Sequence, residues 1–307
     1  MRKLSSTILS SDLVSMQSES TKNTSNDSLA LTDFSNACQE LDAFLSENGI
    51  TLYNLPKYYD IAFSRDVTGE IAFYKKCFRN YCNFEVKRIL EPACGSGIFL
   101  VAFPKYGYHI IGYDICSKMV DYTKERIINA GCIDKAEVLL GDMKTMKFDP
   151  KFDAAIISIN SLGYLLLDND IISHFRNMSQ SLKKGGLYIV EIVCAYDDLN
   201  KEKKSDETWC AERDGIKIEA TWNPYSYDRE NKIRHINFRM KVQDNGRTAE
   251  FEEKHELRLW LCEDFKRLTQ EAGFRIEAIY NQEYQEIPIK TRITGELGAL
   301  YYVLVNE

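Results

Sequence analysis

One stretch, VKRILEPACGSGIFL at residues 86–100, constrains the fold of this chain more than any other. An apolar run ends at the acidic Glu91 and is followed by a turn that contains Gly95 and Gly97, after which apolar residues resume. This order predicts a strand, a tight turn and a helix. Glycine allows backbone conformations that other residues avoid and lets a ligand approach the main chain. The N–H groups that open the helix would point at that ligand.

Two classes of nucleotide cofactor bind at such a turn. The dinucleotide fold requires a third glycine, in the pattern G-x-G-x-x-G, but Leu100 stands at that position. A carboxylate at the end of the strand, Glu91, would repel a pyrophosphate and suits a ligand that carries an ammonium group. The residues therefore favour an amino-acid-bearing nucleoside, and an NAD-dependent dehydrogenase is a more distant alternative.

The segment from Glu91 to Gly97, E-x-A-C-G-S-G, resembles the first motif of class I S-adenosylmethionine-dependent methyltransferases, with Glu91 in place of the more common Asp. From about Tyr53 to the C-terminus, the chain is most similar to small-molecule N-methyltransferases, which include amino-sugar dimethyltransferases and glycine N-methyltransferases. The resemblance implies an α/β fold with a doubly wound, mostly parallel sheet of the Rossmann-like methyltransferase type. It also implies S-adenosyl-L-methionine as the cofactor, S-adenosyl-L-homocysteine as the product, and cofactor contacts at Glu91, Ala93, Gly95 and Gly97.

A second strand, predicted at residues 109–114, ends in Asp114. Ligands of open parallel sheets lie beyond the carboxyl ends of the strands, so Asp114 is placed to accept hydrogen bonds from both ribose hydroxyls of a nucleoside. The alternative is that Asp114 caps the helix that begins near Ser117, because both uses place it at a helix N-terminus. We also expect the next residue, Ile115, to contact the cofactor.

The stretch at residues 136–143 predicts a third strand, with Asp142 just past its end and Met143 next. In the family that the chain resembles, an acid here accepts the adenine amino hydrogens and the next backbone N–H meets the ring, so we expect both residues to bind the cofactor. Acids thus follow three strands, at Glu91, Asp114 and Asp142. This repetition predicts a single adenosine-binding cleft.

The segment Tyr58-Tyr59-Asp60 resembles the element that small-molecule methyltransferases fold over the cofactor. The resemblance places the ring or hydroxyl of Tyr59 beside the reactive methyl group, which makes Tyr59 both a cofactor-binding and a catalytic candidate. The alternative is that these aromatic side chains pack in the core, as such clusters more often do.

A fourth strand at residues 152–159 leads into NSLGYL at 160–165, which resembles the S-x-G-Y-L loop of amino-sugar N-methyltransferases. The resemblance implies that Asn160 contacts the cofactor or the nucleophile and that Tyr164 lines the acceptor pocket; an ordinary turn is the alternative. Glu191 interrupts the apolar fifth strand, and we interpret it as a substrate ligand rather than as the partner of a base. We expect His174, on the intervening helix, to be a surface or packing residue.

From about residue 209 to 260, alternating residues predict an antiparallel meander inserted after the fifth strand. Its turn signals are Asp214-Gly215, Asn223-Pro224, Glu230-Asn231 and Asp244-Asn245-Gly246. Its last strand places His255 on an apolar face, which would keep the imidazole neutral and suits a catalytic proton acceptor or a substrate ligand. A hydrogen-bonded structural histidine is the alternative. Arg258, on the opposite face, either binds a carboxylate or phosphate of the substrate or lies in solvent.

The remaining segments complete the domain organisation. Ser, Thr and Asn dominate residues 1–30, so this tail cannot bury enough surface to offset its ordering entropy and is predicted to be disordered. Helical spacing predicts helices at residues 32–48 and 69–82. The predicted units are an N-terminal helical cap at 31–85 and a methyltransferase domain at 86–307, with an antiparallel lid insertion at about 205–260 and a last, antiparallel strand at 299–305.

Composition limits the classes of partner that we expect this protein to have. A net charge of −7 provides no global basic field, so nucleic acid is disfavoured as a substrate. Nine cysteines without C-x-x-C pairs predict reduced thiols in the cytoplasm and no metal site. No apolar run approaches the ~20 residues that span a bilayer, so we expect no membrane partner. We predict no secretion signal, with an organellar transit peptide as the alternative, and we leave a homodimer open.

The sequence therefore predicts the transfer of a methyl group from S-adenosylmethionine to a small molecule by in-line displacement, with an amine as the first choice of acceptor. An oxygen or carbon nucleophile is an alternative that would require a general base. RNA or protein methylation is a further alternative. A catalytically silent cofactor-binding protein that acts through a partner is the alternative from another class.

Overall fold

Strands and helices alternate from Arg88 to Ile192, as the switch between apolar runs and helical spacing predicts. The computed structural model describes residues 51–149, 151–192, 195–197 and 206–307, so the predicted tail and first helix lie outside the described residues. None of the described helices is long and apolar enough to cross a membrane. The helices are α1 (Pro56–Ala62), α2 (Thr68–Tyr81), α3 (Ile98–Ala102), α4 (Ser117–Asn129), α5 (Asp168–Ser181) and α6 (Cys262–Glu271). The strands are β1 (Arg88–Pro92), β2 (His109–Asp114), β3 (Ala136–Leu140), β4 (Phe152–Ile157), β5 (Leu182–Ile192), β6 (Ala195–Tyr196), β7 (Glu207–Arg213), β8 (Ile216–Asp228), β9 (Ile233–Asp244), β10 (Arg247–Arg258), β11 (Trp260–Leu261), β12 (Phe274–Tyr280), β13 (Glu286–Ile287) and β14 (Leu300–Asn306).

Eight strands form the main sheet, in the order β13-β12-β14-β5-β4-β1-β2-β3. Strands β1 to β5 are parallel to one another, whereas β14 lies antiparallel between β5 and β12. This arrangement confirms the predicted doubly wound, mostly parallel sheet with an antiparallel last strand. The strand order reverses between β1 and β4, and ligands of such sheets bind beyond the carboxyl ends at this switch point. The glycine turn that follows β1 lies there.

Apolar side chains cover both faces of the main sheet. Consecutive residues alternate between two cores, because Ile89 and Ile156 pack on one face while Leu90 and Ile157 pack on the other. Helices α2, α3 and α4 cover the first face, and α5 and α6 cover the second. Burial on both faces explains why these strands read as nearly continuous apolar runs.

A separate sheet of four antiparallel strands, in the order β10-β9-β8-β7, forms the predicted meander. Two of its turns, Asp214-Gly215 and Asn245-Gly246, have the positive φ angles that favour tight hairpins. Asp-Gly and Asn-Gly are the residue pairs that such turns prefer, so the sequence predicts both correctly.

The turn predicted at Asn223-Pro224 is wrong. Strand β8 continues through both residues, with an irregularity between Pro224 and Ser226 in its pairing with β9. Proline has no N–H group to donate, but β7 pairs with β8 only as far as Trp222. Pro224 therefore lies where β8 has no neighbour on that side and needs no bond there.

Candidate active site

The glycine turn after β1 has an unusual backbone. Ala93, Gly95 and Gly97 have φ angles of 51°, 53° and 73°. A Cβ atom at Gly97 would lie 2.4 Å from Cγ2 of Thr123, so only glycine fits there. The Thr123 hydroxyl also donates a hydrogen bond of 2.8 Å to the Gly95 carbonyl. Helix α4 therefore holds the turn from one side.

Asp114, at the end of β2, holds the turn from another side. Its Oδ2 atom accepts the N–H of Gly95 and its Oδ1 atom accepts the N–H of Cys116, each at 2.9 Å. Burial raises the pKa of this carboxyl above its ordinary value, and these backbone N–H groups oppose that rise. A carboxylate oxygen has more than one acceptor position, so Asp114 retains capacity for ribose hydroxyls.

Glu91, at the end of β1, is buried with an unsatisfied oxygen. The residue is 3% exposed, and Oε2 has no hydrogen-bond partner among the described residues. Burial raises the pKa of Glu91 well above its ordinary value, although the positive charge of Arg65 opposes the rise. A buried acceptor left unpaired costs about 1–3 kcal/mol, more if charged, and a ligand ammonium group would pair it. The site therefore fits the amino-acid arm of S-adenosylmethionine.

Arg65 lines the same cavity as Glu91, Tyr59 and Gly95, and sequence reasoning missed it. Its guanidinium donates two hydrogen bonds to Glu70, of 3.0 and 3.2 Å. No pattern in the sequence marks Arg65, since it lies between α1 and α2 and meets the strand ends only in the folded chain. It places a cation beside the unsatisfied carboxylate.

A second pair of residues with positive φ angles follows β4. Ile159 and Asn160 have φ angles of 53° and 55°, and a branched residue such as isoleucine rarely adopts this conformation. The N–H of Ile159, which lines the cavity, donates a hydrogen bond of 2.8 Å to Oε2 of Glu191. Burial raises the pKa of Glu191, and this N–H opposes the rise. Glu191 thus stabilises the loop beside the cavity, and Asn160 is buried within that loop.

Three side chains form a hydrogen-bonded line that includes two residues predicted to act on the methyl acceptor, Tyr164 and His255. The hydroxyls of Tyr53 and Tyr164 share a hydrogen bond of 2.6 Å, and the Tyr164 hydroxyl lies 3.2 Å from Nδ1 of His255. The indole of Trp222 stacks on the imidazole, with ring centroids 5.4 Å apart. Burial lowers the pKa of His255 to about 4, so the ring is neutral at physiological pH. Oε2 of Glu253 lies 3.6 Å from Nε2 of His255.

Tyr59 connects this line to the glycine turn. Its ring lies 3.6 Å from the position that a Cβ atom of Gly95 would take, and the residue lines the cavity. Its ring centroid lies 5.7 Å from that of Tyr53. Burial raises the pKa of Tyr59 above its ordinary value, which keeps the hydroxyl protonated. Tyr53 and Glu253 lie beside the predicted residues Tyr164 and His255, and no pattern in the sequence marks either of them.

The residues just after β2 and β3 include Ile115, predicted to contact the cofactor, and Asp142 and Met143, predicted to contact its adenine. Ile115 is 70% exposed, and Oδ1 of Asp142 accepts the N–H of Lys144 at 2.8 Å.

His174 is fully buried, so a surface location is excluded. Its Nδ1 lies 3.1 Å from the Met143 carbonyl, which can only accept, so Nδ1 donates and Nε2 accepts from Tyr188 at 2.8 Å. Burial lowers the pKa of His174 to about 4. This neutral histidine holds the loop that contains Met143.

Arg258 has other partners than those expected. It is 3% exposed, which excludes the solvent location. Its guanidinium donates to the Leu166 carbonyl and to the Asp168 carboxylate, and it lies over the ring of Trp260 at 4.8 Å. These contacts fix the start of α5, which is a structural role.

Across the described ranges, no group of three or more His, Cys, Asp or Glu side chains could hold a metal ion.

Comparisons with known proteins identify the domain and its fold. Residues 89–186 match the family model described as a methyltransferase domain. The dTDP-3-amino-3,4,6-trideoxy-alpha-D-glucopyranose N,N-dimethyltransferase of Streptomyces venezuelae is 23% identical over 194 residues, which cover 63% of this chain and 77% of that protein. A solved S-adenosylmethionine-dependent methyltransferase from Clostridium acetobutylicum is 20% identical, with a TM-score of 0.66, over 83% of this chain and 99% of the other.

A second solved structure, DesVI of Streptomyces venezuelae, is 18% identical with a TM-score of 0.67, over 85% of this chain and 100% of the other. At these identities the solved structures are evidence for the shared fold. The matched domain spans the glycine turn, all three acids at the strand ends and the loop after β4. Residues 89–186 are therefore a methyltransferase domain, and the chain shares its fold with solved S-adenosylmethionine-dependent methyltransferases.

Proposed function

We propose that this enzyme transfers the methyl group of S-adenosylmethionine to the nitrogen of a small-molecule amine. The observation that carries the proposal is the hydrogen-bonded line from Tyr53 through Tyr164 to His255, which meets Tyr59 beside the glycine turn. Named relatives lend support, since the Streptomyces venezuelae protein is called an N,N-dimethyltransferase.

The cofactor assignment follows the predicted residues and adds one. Glu91 would accept the ammonium group of the methionine arm, and Arg65, the addition, would attract its carboxylate. Asp114 would accept the ribose hydroxyls. The remaining proposed contacts are Ala93, Gly95 and Gly97 at the turn, Ile115, Asp142 and Met143 at the adenine, and Tyr59 and Asn160 beside the methyl group.

The acceptor residues would position the amine and remove one proton. The cofactor, when bound, supplies a methyl group that a sulfonium already activates, so alignment and exclusion of water are the main requirements. The Tyr164 hydroxyl can take the proton that the methylated nitrogen loses while it passes its own proton to Nδ1 of His255. Nε2 then lies 3.6 Å from Glu253, whose carboxylate can take the proton onward. Glu191 would contribute indirectly, because its bond to the N–H of Ile159 holds the loop after β4 in place.

The weak basicity of His255 favours nitrogen over other nucleophiles. A histidine with a pKa of about 4 is neutral at pH 7 but is a poor base. An amine attacks through its own lone pair and needs only to lose a proton, whereas a hydroxyl or carbon acid needs a base whose pKa lies near the working pH. The two tyrosine hydroxyls do not supply such a base, because burial raises the pKa of both Tyr53 and Tyr164.

The test is incubation with S-adenosylmethionine that carries a ¹³C-labelled methyl group and a panel of amines, which includes nucleotide-linked amino sugars and free amines. Mass spectrometry counts the methyl groups transferred, and ¹³C NMR assigns the methylated atom. Asp114→Ala serves as the control with weakened cofactor binding, in which transfer should fall at a limiting cofactor concentration. Label on oxygen or carbon would contradict N-methylation, and label on RNA or protein in a cell extract would contradict a small-molecule acceptor.

A further inference from the structure

Asp60 lies next to Tyr59 on α1 and has no part in the assignments above, yet its carboxylate contacts three other elements. It is 4% exposed. We propose that Asp60 is a positioning residue that couples the antiparallel sheet to the glycine turn, so that contacts made by the sheet set the affinity for the cofactor. This inference rests on the proposed assignment of the cofactor to the turn.

Four donors meet the Asp60 carboxylate. Ser96 of the glycine turn donates its hydroxyl to Oδ1 at 2.9 Å, and Arg126 of α4 donates to the same oxygen. Tyr122 of α4 and Arg213 of β7 donate to Oδ2, at 3.0 and 2.7 Å. A single buried carboxylate thus joins α1, the turn, α4 and the antiparallel sheet.

The sheet also holds both ends of α1 by other contacts. The indole N–H of Trp209, on β7, donates to the Ala62 carbonyl at 2.7 Å. The Tyr58 hydroxyl donates to Asp244, at the end of β9, at 3.1 Å. Helix α1 has seven residues, and an isolated helix of this length is not stable in water. Its position therefore depends on these contacts.

On the other side, the same cluster fixes the backbone of the turn. Arg126 donates to the Ser96 carbonyl at 3.0 Å as well as to Asp60. Because Tyr59 precedes Asp60 and its ring lies over Gly95, a shift of α1 moves that ring relative to the turn. Displacement of α1 by the sheet would therefore change both the backbone that receives the cofactor and the aromatic ring that covers it.

The charges around Asp60 decide which substitution can test this coupling. Two guanidinium groups share one buried carboxylate, so loss of Arg213 leaves a carboxylate that still has Arg126, Ser96 and Tyr122 as partners. Loss of Asp60 itself would leave two arginines without their shared partner, and such a loss is strongly destabilising for buried pairs. Arg213→Met, which keeps the aliphatic stem, is therefore the informative variant.

The experiment is a double-mutant cycle on S-adenosylhomocysteine binding, measured by isothermal titration calorimetry on the full chain. Arg213→Met is expected to weaken binding roughly 2- to 30-fold, in the range of coupling through a contiguous network. Ser96→Ala should also weaken binding, and the double variant should lose less than the product of the two effects. Glu212→Gln is the matched control, since Glu212 neighbours Arg213 on β7 and its ion pair in the described part of the chain is with the exposed Lys217, at 3.8 Å.

Unchanged affinity in Arg213→Met, or effects that multiply in the double variant, would overturn the coupling. Thermal melting of each variant identifies general unfolding, and a loss of affinity in a folded Arg213→Met protein is the supporting result. Wild-type protein that fails to bind S-adenosylhomocysteine would overturn the cofactor assignment as well. Wild-type binding without methyl transfer to any amine would contradict the proposed acceptor and leave this inference standing.

Discussion

Substitution of Glu91 by glutamine should change cofactor affinity and protein stability in opposite directions. Glutamine keeps the shape of the side chain and removes its charge. Oε2 of Glu91 is buried and unpaired among the described residues, and in the proposed site it would meet the ammonium group of the cofactor. A hydrogen bond to a charged group contributes about 1.5–3 kcal/mol, so Glu91→Gln should weaken S-adenosylhomocysteine binding roughly 10- to 150-fold.

The stability of the ligand-free protein should rise at neutral pH in Glu91→Gln. Burial raises the pKa of Glu91 well above its unfolded value, so over the pH window above about 4.5 the folded state binds a proton that the unfolded state has lost. The free energy of unfolding of the wild type therefore falls as pH rises through that window. Glutamine has no charge to desolvate, so the advantage of the variant should be largest near pH 7.5 and smaller near pH 5.

Calorimetric titration and thermal melting measure the two effects. 5′-Methylthioadenosine is the matched control ligand, because it has the adenosine and lacks the amino-acid arm, so wild type and Glu91→Gln should bind it equally. Equal loss of affinity for both ligands would mean that the substitution disturbs the whole cleft. Unchanged affinity for S-adenosylhomocysteine would refute the role of Glu91 as the ammonium acceptor.

Three further predictions concern single residues. Asp114→Ala should weaken S-adenosylhomocysteine binding by about 10-fold or more in calorimetry, because a charge-assisted bond and the support of Gly95 are lost; wild-type affinity would contradict the ribose contact. His255→Phe should keep the stack on Trp222 and the cofactor affinity while turnover falls about 100-fold, and unchanged turnover would remove His255 from the proton path. Burial gives His174 a pKa of about 4 in the folded protein, against about 6.5 in the unfolded chain, so the unfolded state binds one more proton between these values. Acidification from pH 6.5 to 4 should therefore lower the free energy of unfolding by about 3 kcal/mol. Urea titrations at pH 7 and 4.5 should show a smaller loss for His174→Gln, and an equal loss would be the contrary result.

The cofactor side of the site was predictable because its signals are local in sequence. Strand periodicity and the glycines around Glu91 identify a strand, turn and helix, and Asp114 follows its own strand directly. The right-handed wind of a parallel sheet then brings such strand ends to one edge without knowledge of packing. The positive φ angle of Ile159 is the exception, since nothing in its residue type predicts a conformation that isoleucine rarely adopts.

The acceptor side could not be predicted in the same way, because its contacts join residues far apart in the chain. The hydrogen bond between Tyr53 and Tyr164 spans 111 positions, and its existence depends on how α1 and the loop after β4 pack. Arg258 shows the same limit, since alternation along β10 gives its face and cannot reveal that Asp168 meets it there. Arg65 and Asp60 were missed as site residues because they meet Glu91 and the glycine turn only in the folded chain.

In the proposed assignment, the acceptor residues and the cofactor residues belong to two different sheets of the chain. His255 and Trp222 belong to β10 and β8, whereas the glycine turn and its acids belong to the main sheet. Mutations along residues 207–258 could therefore remodel the proposed acceptor wall during evolution without altering the cofactor cleft, provided that Trp209, Arg213 and Asp244, which hold α1, persist. Exchange of this segment between related enzymes is accordingly a direct way to transplant acceptor preference onto an unchanged methyl-donor scaffold.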